Sequence, residues 1–221
     1  MTHPVIDRPH TVSSYDLQLA EVRSIINQMA DQAQAMLSGG LDALRNADKV
    51  AAMQVVAQDK VIDELERSLE RLALLIIMSR APMAQDLRYL IVAIRIGKML
   101  ERTGDQAKRI ARRLDTLDLV QLGPRFPLVR AMEQYAGAMV AKAIVSFNAA
   151  SHELAREVIA SDAELNAMND DLIRACRSAM DQGQLRSGDG IQLILMGKQL
   201  ERVGDYATNI AGDVSYMVTG Q

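Results

Sequence analysis

The sequence predicts an all-α protein made of two tandem three-helix bundles, and three observations carry that expectation. Residues 97–111 read GKMLERTGDQAKRIA and residues 197–211 read GKQLERVGDYATNIA, with ten of the fifteen positions identical at an offset of one hundred. A fixed-period match of this kind marks a duplicated structural unit. Apolar residues step by three and four along most of the chain, and no segment of useful length alternates with a period of two. Aromatic residues make up only 3% of the composition and Trp is absent, so Leu, Ile, Met and Ala must fill the core, which suits helices.

Taken in order, residues 1–13, with Pro4 and Pro9, read as a flexible tail. Ser13 or Ser14 is expected to cap a first helix running to Asn46, with Gly39 and Gly40 as its weak point at about 1 kcal/mol each relative to Ala. A second helix is expected over 49–79, where Ile62, Leu65, Leu69, Leu72 and Ile76 step by 3, 4, 3 and 4. Pro82 fits the first turn of a third helix that continues to about Asp115. Gly123, Pro124 and Pro127 mark residues 117–127 as the linker between a first bundle, 14–116, and a second, 128–218. Three further helices are expected over 128–160, 162–182 and 189–218, the last with Asp189 as its N-cap.

Composition excludes several function classes. The single Cys176 rules out an internal disulfide and favours a reducing compartment. No signal-peptide pattern opens the chain and the densest apolar run, 72–78, is too short to span a bilayer, so a cytoplasmic location is expected. A net charge of −3 lacks the basic footprint that nucleic-acid binding requires.

The duplicated motif holds the candidate chemistry. Leu87, Leu90, Ile94, Gly97, Glu101, Gly104, Lys108 and Ala111 step alternately by 3 and 4, which puts Glu101 on the packing seam, and Glu201 holds the same place in the second copy. A carboxylate there has to be paired, metal-bound or open to solvent. Gly97 and Gly104 flank Glu101, as Gly197 and Gly204 flank Glu201, which suggests that something approaches the helix backbone closely. Asp105 and Asp205 follow one turn after their Glu partners and project from the same side. On the second helix of each unit Asp59 and Asp63 align with Asp162 and Asn166. Glu101, Asp105, Asp59 and Asp63, with Glu201, Asp205 and Asp162 in the second copy, therefore form a candidate ligand set for an oxygen-preferring metal ion: Mg, Mn, Fe or Zn. The plainer reading is ion pairing within the helix, Glu101 with Lys98 and Asp105 with Arg109.

These residues resemble a known family. LERTGDQAKRIA and LERVGDYATNIA are similar to the twin signature of the PhoU family, as are the stretch from Asp59 through Ile62, Asp63 and Leu65 to Glu66, and that from Ala81 and Pro82 to Asp86, Leu87 and Arg88. The resemblance covers residues 14–218. It implies two three-helix bundles related by a pseudo-twofold, multinuclear metal clusters on the acidic motifs in some members, and no catalytic activity. It further implies an adaptor between the ATPase subunit of a phosphate importer and a membrane sensor kinase, repressing the phosphate regulon when phosphate is plentiful. This chain departs from the pattern at Tyr206, where His is usual, at Gly212, where an acid is usual, and at Asn166. On those departures the site of the second copy is the weaker expected metal binder.

Two other readings stay open: a metal-free helical scaffold, and a di-metal bundle enzyme. The latter needs Glu-x-x-His motifs, and none of His3, His10 or His152 has Glu three residues before it. The long amphipathic helices point to a homodimer. Residues 80–113 hold nine bases against three acids, a net of +6, whereas 189–218 hold two against four, a net of −2. Lys108, Arg109, Arg112 and Arg113 are accordingly the candidate contacts for an acidic partner or, peripherally, for the anionic inner face of the membrane.

Overall fold

The structure is a computed structural model and describes residues 9–82, 85–115 and 123–220. Six α-helices run through the described residues: α1 Pro9–Asn46, α2 Lys49–Arg80, α3 Gln85–Ala111, α4 Phe126–Asn148, α5 His152–Asp181 and α6 Ser187–Thr219. The longest, α1, has 38 residues and spans about 57 Å at 1.5 Å per residue. Short 3₁₀ turns, Arg112–Asp115 and Gly123–Arg125, follow α3 and precede α4. None of the described helices is long and apolar enough to cross a membrane.

Helices α1 to α3 pack on one another, as do α4 to α6. Equivalent helices then face each other across the molecule, α1 against α4 and α3 against α6, which leaves α2 and α5 outermost. The buried apolar residues of both units form one cluster rather than two, with Met29, Met36 and Leu100 in one unit and Met132, Phe147 and Leu200 in the other. Polar ties cross the same interface: Arg95 pairs with Asp213 at 3.0 Å, Asn148 donates to Asn27 at 2.8 Å, and Arg130 pairs with Asp42 at 3.2 Å. Tyr89 stacks on Phe147 with ring centroids 5.2 Å apart.

Several boundaries differ from the sequence reading for identifiable reasons. Helix α1 begins at Pro9, inside the expected tail, because proline suits the first turn of a helix; the rest of that tail, residues 1–8, lies outside the described residues. Ser14 does not cap the helix; its hydroxyl accepts from the Arg80 guanidinium at 2.6 Å and ties α1 to α2. Gly39 and Gly40 do not break α1. A Cβ on Gly40 would lie 3.3 Å from the Ala107 carbonyl oxygen, so that glycine lets α1 approach the backbone of α3. Pro82 precedes α3, beyond the left-handed Ala81 that ends α2, and residues 83 and 84 lie outside the described residues. Of the expected linker, 117–122 lies outside the described residues, and α4 begins at Phe126 with Pro127 in its first turn.

The largest correction concerns the fourth and fifth helices. The sequence reading separates them near Ser161, but the turn falls at Ala149 and Ala150, and α5 starts at His152. Ser151 caps α5 by accepting from the Leu154 amide at 3.2 Å, while Ser161 donates back to the Glu157 carbonyl at 2.8 Å and stays inside the helix. Two alanines carry no breaking signal of their own. The first unit turns identically: Ala47 and Ala150 have φ of 56° and 47°, and the next residues, Asp48 and Ser151, donate to Ala43 and Ser146 carbonyls at 2.9 Å. Asp189 is likewise not an N-cap. It sits in the first turn of α6, 4% exposed, and accepts from Arg186 at 2.8 Å.

The glycines of the duplicated motif are filled from within each bundle. A Cβ on Gly97 would lie 2.6 Å from Leu69 Cδ2, and one on Gly104 3.2 Å from Ile62. In the second unit a Cβ on Gly197 would lie 2.8 Å from Leu172 Cδ2 and 2.5 Å from Asn169 Oδ1, and one on Gly204 would meet Leu165. Ile62 and Leu165, like Leu69 and Leu172, are equivalent positions at an offset of 103. What approaches the backbone there is therefore the neighbouring helix. Gly97→Ala should lower stability by about 1–3 kcal/mol through overpacking, outweighing a gain of about 1 kcal/mol in helix propensity. Gly104→Ala, whose neighbour has only to give by tenths of an ångström, should cost less. Urea unfolding of both variants checks this order, and stabilisation of both would contradict it.

Candidate functional site

Seating α2 in the glycine notches of α3 brings two polar rows face to face. On α2 these are Asp59, Asp63 and Glu66; on α3 they are Lys98, Glu101, Asp105 and Lys108. The structure thus gathers all four first-row candidates, Glu101, Asp105, Asp59 and Asp63, on one surface, but with two ammonium groups among them. Lys108 donates to Asp59 Oδ2 in a short contact and lies 3.7 Å from Asp105. Lys98 sits 3.3 Å from Glu66 and 2.9 Å from Glu101. The ion-pair reading of Glu101 with Lys98 is therefore met, and each lysine also bridges from α3 to α2. Asp63 pairs along its own helix with Arg67 at 3.7 Å. Glu66, part of the stretch similar to the family's, joins the row beyond the sequence-derived candidates, and its spacing of seven from Asp59 places it on the same face.

The environment reinforces these pairs. Asp59 is 9% exposed, and a carboxylate so buried is costly unless compensated. The hydrogen bond to Asp59 raises the pKa of Lys108 and that to Glu101 raises the pKa of Lys98, each against the opposing effect of burial. Both lysines are held charged.

The second row is built differently. Asn169 stands where the first unit has Glu66 and donates through Nδ2 to Glu201 at 2.6 Å, while Lys198 pairs with Glu201 at 2.5 Å. Asn166 donates to Asp162 at 2.8 Å. Thr208 replaces Lys108 and turns its hydroxyl to the Asp205 carbonyl at 2.8 Å. Burial, then the carboxylates of Asp162 and Glu201, push the Asp205 carboxyl above its ordinary range, with Lys198 and Arg202 pulling it back. Asp162 Oδ1, Asn166 Oδ1 and Asn169 Oδ1 are buried without a hydrogen-bond partner, whereas no oxygen of the first row is so left.

Whether these rows suit a metal follows from their donors. Among the described residues no three His, Cys, Asp or Glu side chains converge as a ligand set. The first row does not fit a cation, because ammonium groups already hold its carboxylates. In the second row Asp162, Asp205 and Glu201 do not converge either, Glu201 is paired with Lys198, and Asn169 turns Oδ1 towards Gly197.

The candidate partner contacts separate in the same way. Lys108 is committed to Asp59, and Arg113 reaches across to α6, donating to Gln199 at 3.1 Å and to Gln192. Arg109 and Arg112 are exposed. Cys176 is fully buried, and burial pushes its thiol pKa up, which leaves it inert as a nucleophile.

Because the folded state raises the Asp205 pKa, it binds that proton more tightly than the unfolded chain, and the ionised group reduces stability at neutral pH. Asp205→Asn should therefore stabilise the protein at pH 7. The gain should shrink as pH falls through the raised folded value and vanish below the unfolded value of about 3.9. Thermal melts of both proteins between pH 3 and pH 8 check the sign; a variant less stable at pH 7 would contradict it.

The family model described as the PhoU domain matches residues 26–114 and again 129–214, one match for each unit. A phosphate-specific transport system accessory protein PhoU homolog from Zymomonas mobilis is 37% identical over 213 residues, covering 96% of this chain and 90% of the relative. One from Xylella fastidiosa is 35% identical over 216 residues, covering 96% and 89%. Among solved structures, PhoU from Pseudomonas aeruginosa superposes with a TM-score of 0.82 at 29% identity, covering 94% of this chain and all of that one. The phosphate transport system regulatory protein PhoU from Streptococcus pneumoniae superposes with a TM-score of 0.85 at 25% identity, covering 94% and 98%. The twofold match and the length of these alignments agree with the internal repeat, and the chain belongs to the PhoU family.

Proposed function

We propose that the protein is a non-enzymatic negative regulator of phosphate uptake and of phosphate-regulon signalling, an adaptor between the ATPase subunit of a phosphate importer and its membrane sensor kinase. The observation that carries the reading is the match of the whole duplicated fold to proteins named as accessory or regulatory components of phosphate transport. Its site chemistry agrees. The carboxylates are tied to lysines and amides rather than aligned with a nucleophile, and the single thiol is buried. Such an adaptor works on the cytoplasmic side of the membrane, where importer ATPase and kinase output meet.

The exposed Arg109 and Arg112 supply the acidic partner's contact. Arg112 lines a groove with Ala52, Met53, Val56, Ala111 and Leu114, at whose rim Lys49 pairs with Asp115 at 3.9 Å, so an apolar anchor lies beside this guanidinium. On the outer helix α2, Leu75 and Met78 are 56% and 83% exposed, and they offer a second copy an apolar face for a homodimer.

Deleting the gene should raise expression of phosphate-starvation genes in phosphate-rich medium, and the intact gene should restore repression. A gene carrying Arg109→Glu and Arg112→Glu should restore it poorly, with association to the purified importer ATPase or kinase weakened steeply by salt. Normal repression in the deletion strain would contradict the regulatory reading, and full repression by the charge-reversed protein would contradict the contact surface.

A further inference from the structure

Where the two units meet beside the start of α3, the structure holds a half-enclosed cavity of about 320 Å³ that lies apart from the acidic rows. Its apolar wall comes from Leu19 of α1 and from Phe147, Met217 and Val218 of the second unit, and Tyr89 of α3 lines it while stacking on Phe147. The chain has only two Phe, five Tyr and no Trp, so a stacked aromatic pair here concentrates a scarce residue type at one spot. Arg23 and Asp86 line the same cavity, and both are exposed. Neither forms an ion pair among the described residues, with each other or with any third group. Arg23 instead faces the Tyr89 hydroxyl, where it offsets part of the rise in pKa that burial causes. Asp86 lies beside the Tyr15 hydroxyl, whose pKa burial and that carboxylate push up to about 12. Two opposite charges thus border one apolar space without meeting across it.

The duplication supplies a comparison within the same chain. At an offset of one hundred, Gln85, Asp86 and Tyr89 correspond to Leu185, Arg186 and Asp189, and Leu44 stands for Phe147 at the offset of 103 that relates the two turns. Leu185 is 3% exposed, whereas Gln85 is exposed. Arg186 donates to Asp189 at 2.8 Å, so in the second unit the base and the acid have already met. The fold therefore does not demand an opening beside Asp86; the opening follows from the residues that this copy carries.

We propose that the cavity between the units binds a free α-amino acid with an apolar side chain, its carboxylate on Arg23, its ammonium group on Asp86 and its side chain against Phe147, Met217 and Val218. An apolar, aromatic-lined space with a few charged groups, set where two units join, has the character of a small-molecule site. A simple organic anion would meet repulsion from Asp86, and a simple amine would meet it from Arg23. A zwitterion satisfies both groups at once through charge-assisted hydrogen bonds. Because the walls belong to both units, the bound molecule fastens α1 and α3 to α4 and α6. The site stands apart from Arg109 and Arg112, at the opposite end of α3, and does not depend on the regulatory reading.

L-phenylalanine and L-leucine are the probes, titrated calorimetrically into the full-length protein, with the rise in melting temperature as a second readout. One molecule should bind per chain. Phenylpropanoate, which lacks the ammonium group, and phenethylamine, which lacks the carboxylate, should each bind roughly tenfold or more weakly than L-phenylalanine. Arg23→Gln and Asp86→Asn should each weaken L-phenylalanine binding by a similar factor, and Val218→Trp, which fills the cavity, should abolish it. All three positions are exposed, and circular dichroism establishes that each variant is folded. The proposal is overturned if neither amino acid binds at millimolar concentration, or if either analogue binds as tightly as L-phenylalanine. It is equally overturned if any of the three variants binds L-phenylalanine as tightly as the native protein.

Discussion

The seating of branched side chains from α2 and α5 into glycine notches on α3 and α6 is the constraint on which the rest of the structure depends. Ile62 and Leu69 fill the first pair of notches, Leu165 and Leu172 the second. Interior glycines cost helix propensity, about 1 kcal/mol each, and the return is a helix pair whose side chains enter the notches and fix its register. Close approach brings the polar edges of the two helices within reach of one another. Without it, Lys108 on α3 would not reach Asp59 on α2, and Asn169 would not reach Glu201.

That packing also explains why so polar a surface is tolerated beside a continuous apolar core. The carboxylates sit one step off the buried seam, and each is met by a group of opposite charge or by a donor, except along the second row. Between the units, Arg95 of α3 and Arg113 of the 3₁₀ turn that follows it reach to α6, so part of the basic excess of the first unit holds the two halves together. Arg102, Arg109 and Arg112 face solvent, and Arg95 and Lys98 stay exposed around their ion pairs.

The sequence made the architecture legible because duplication and the three-four stepping are strong signals that survive without tertiary information. Of the seam it placed in the core, Ile62, Leu69 and Ile76 are buried, while Leu65 and Leu72 are half-buried against it. It misplaced the α4–α5 turn because Ala149 and Ala150 favour helix, while Ser161 offers a capping side chain that the structure turns back onto its own helix. Comparison with Ala47 and Asp48 in the first copy contained the missing signal. At the site, the acids were found from spacing alone, but their partners were not. Asp105 was matched to Arg109 by helix periodicity, whereas Lys108 reaches the facing helix, a contact that depends on interhelical distance and is invisible to a one-dimensional pattern. The flanking glycines were rightly read as marks of close approach; the approaching group is Ile62 or Leu69, which needs the fold to be seen. The second row was judged the weaker by its missing acid, yet Thr208 in place of Lys108 alters its charge balance more.

If the notches set the register of the rows, the glycine and the side chain that fills it must act as a unit. A double-mutant cycle on Gly97 and Leu69, measured by urea unfolding, addresses this directly. In the native background Gly97→Ala should destabilise; in the Leu69→Ala background, where the notch is no longer filled, it should be neutral or stabilising by about 1 kcal/mol, the ordinary helix preference of Ala over Gly. An equal loss in both backgrounds would mean that Leu69 and Gly97 do not constrain each other, and would remove the physical basis for the alignment of the two rows.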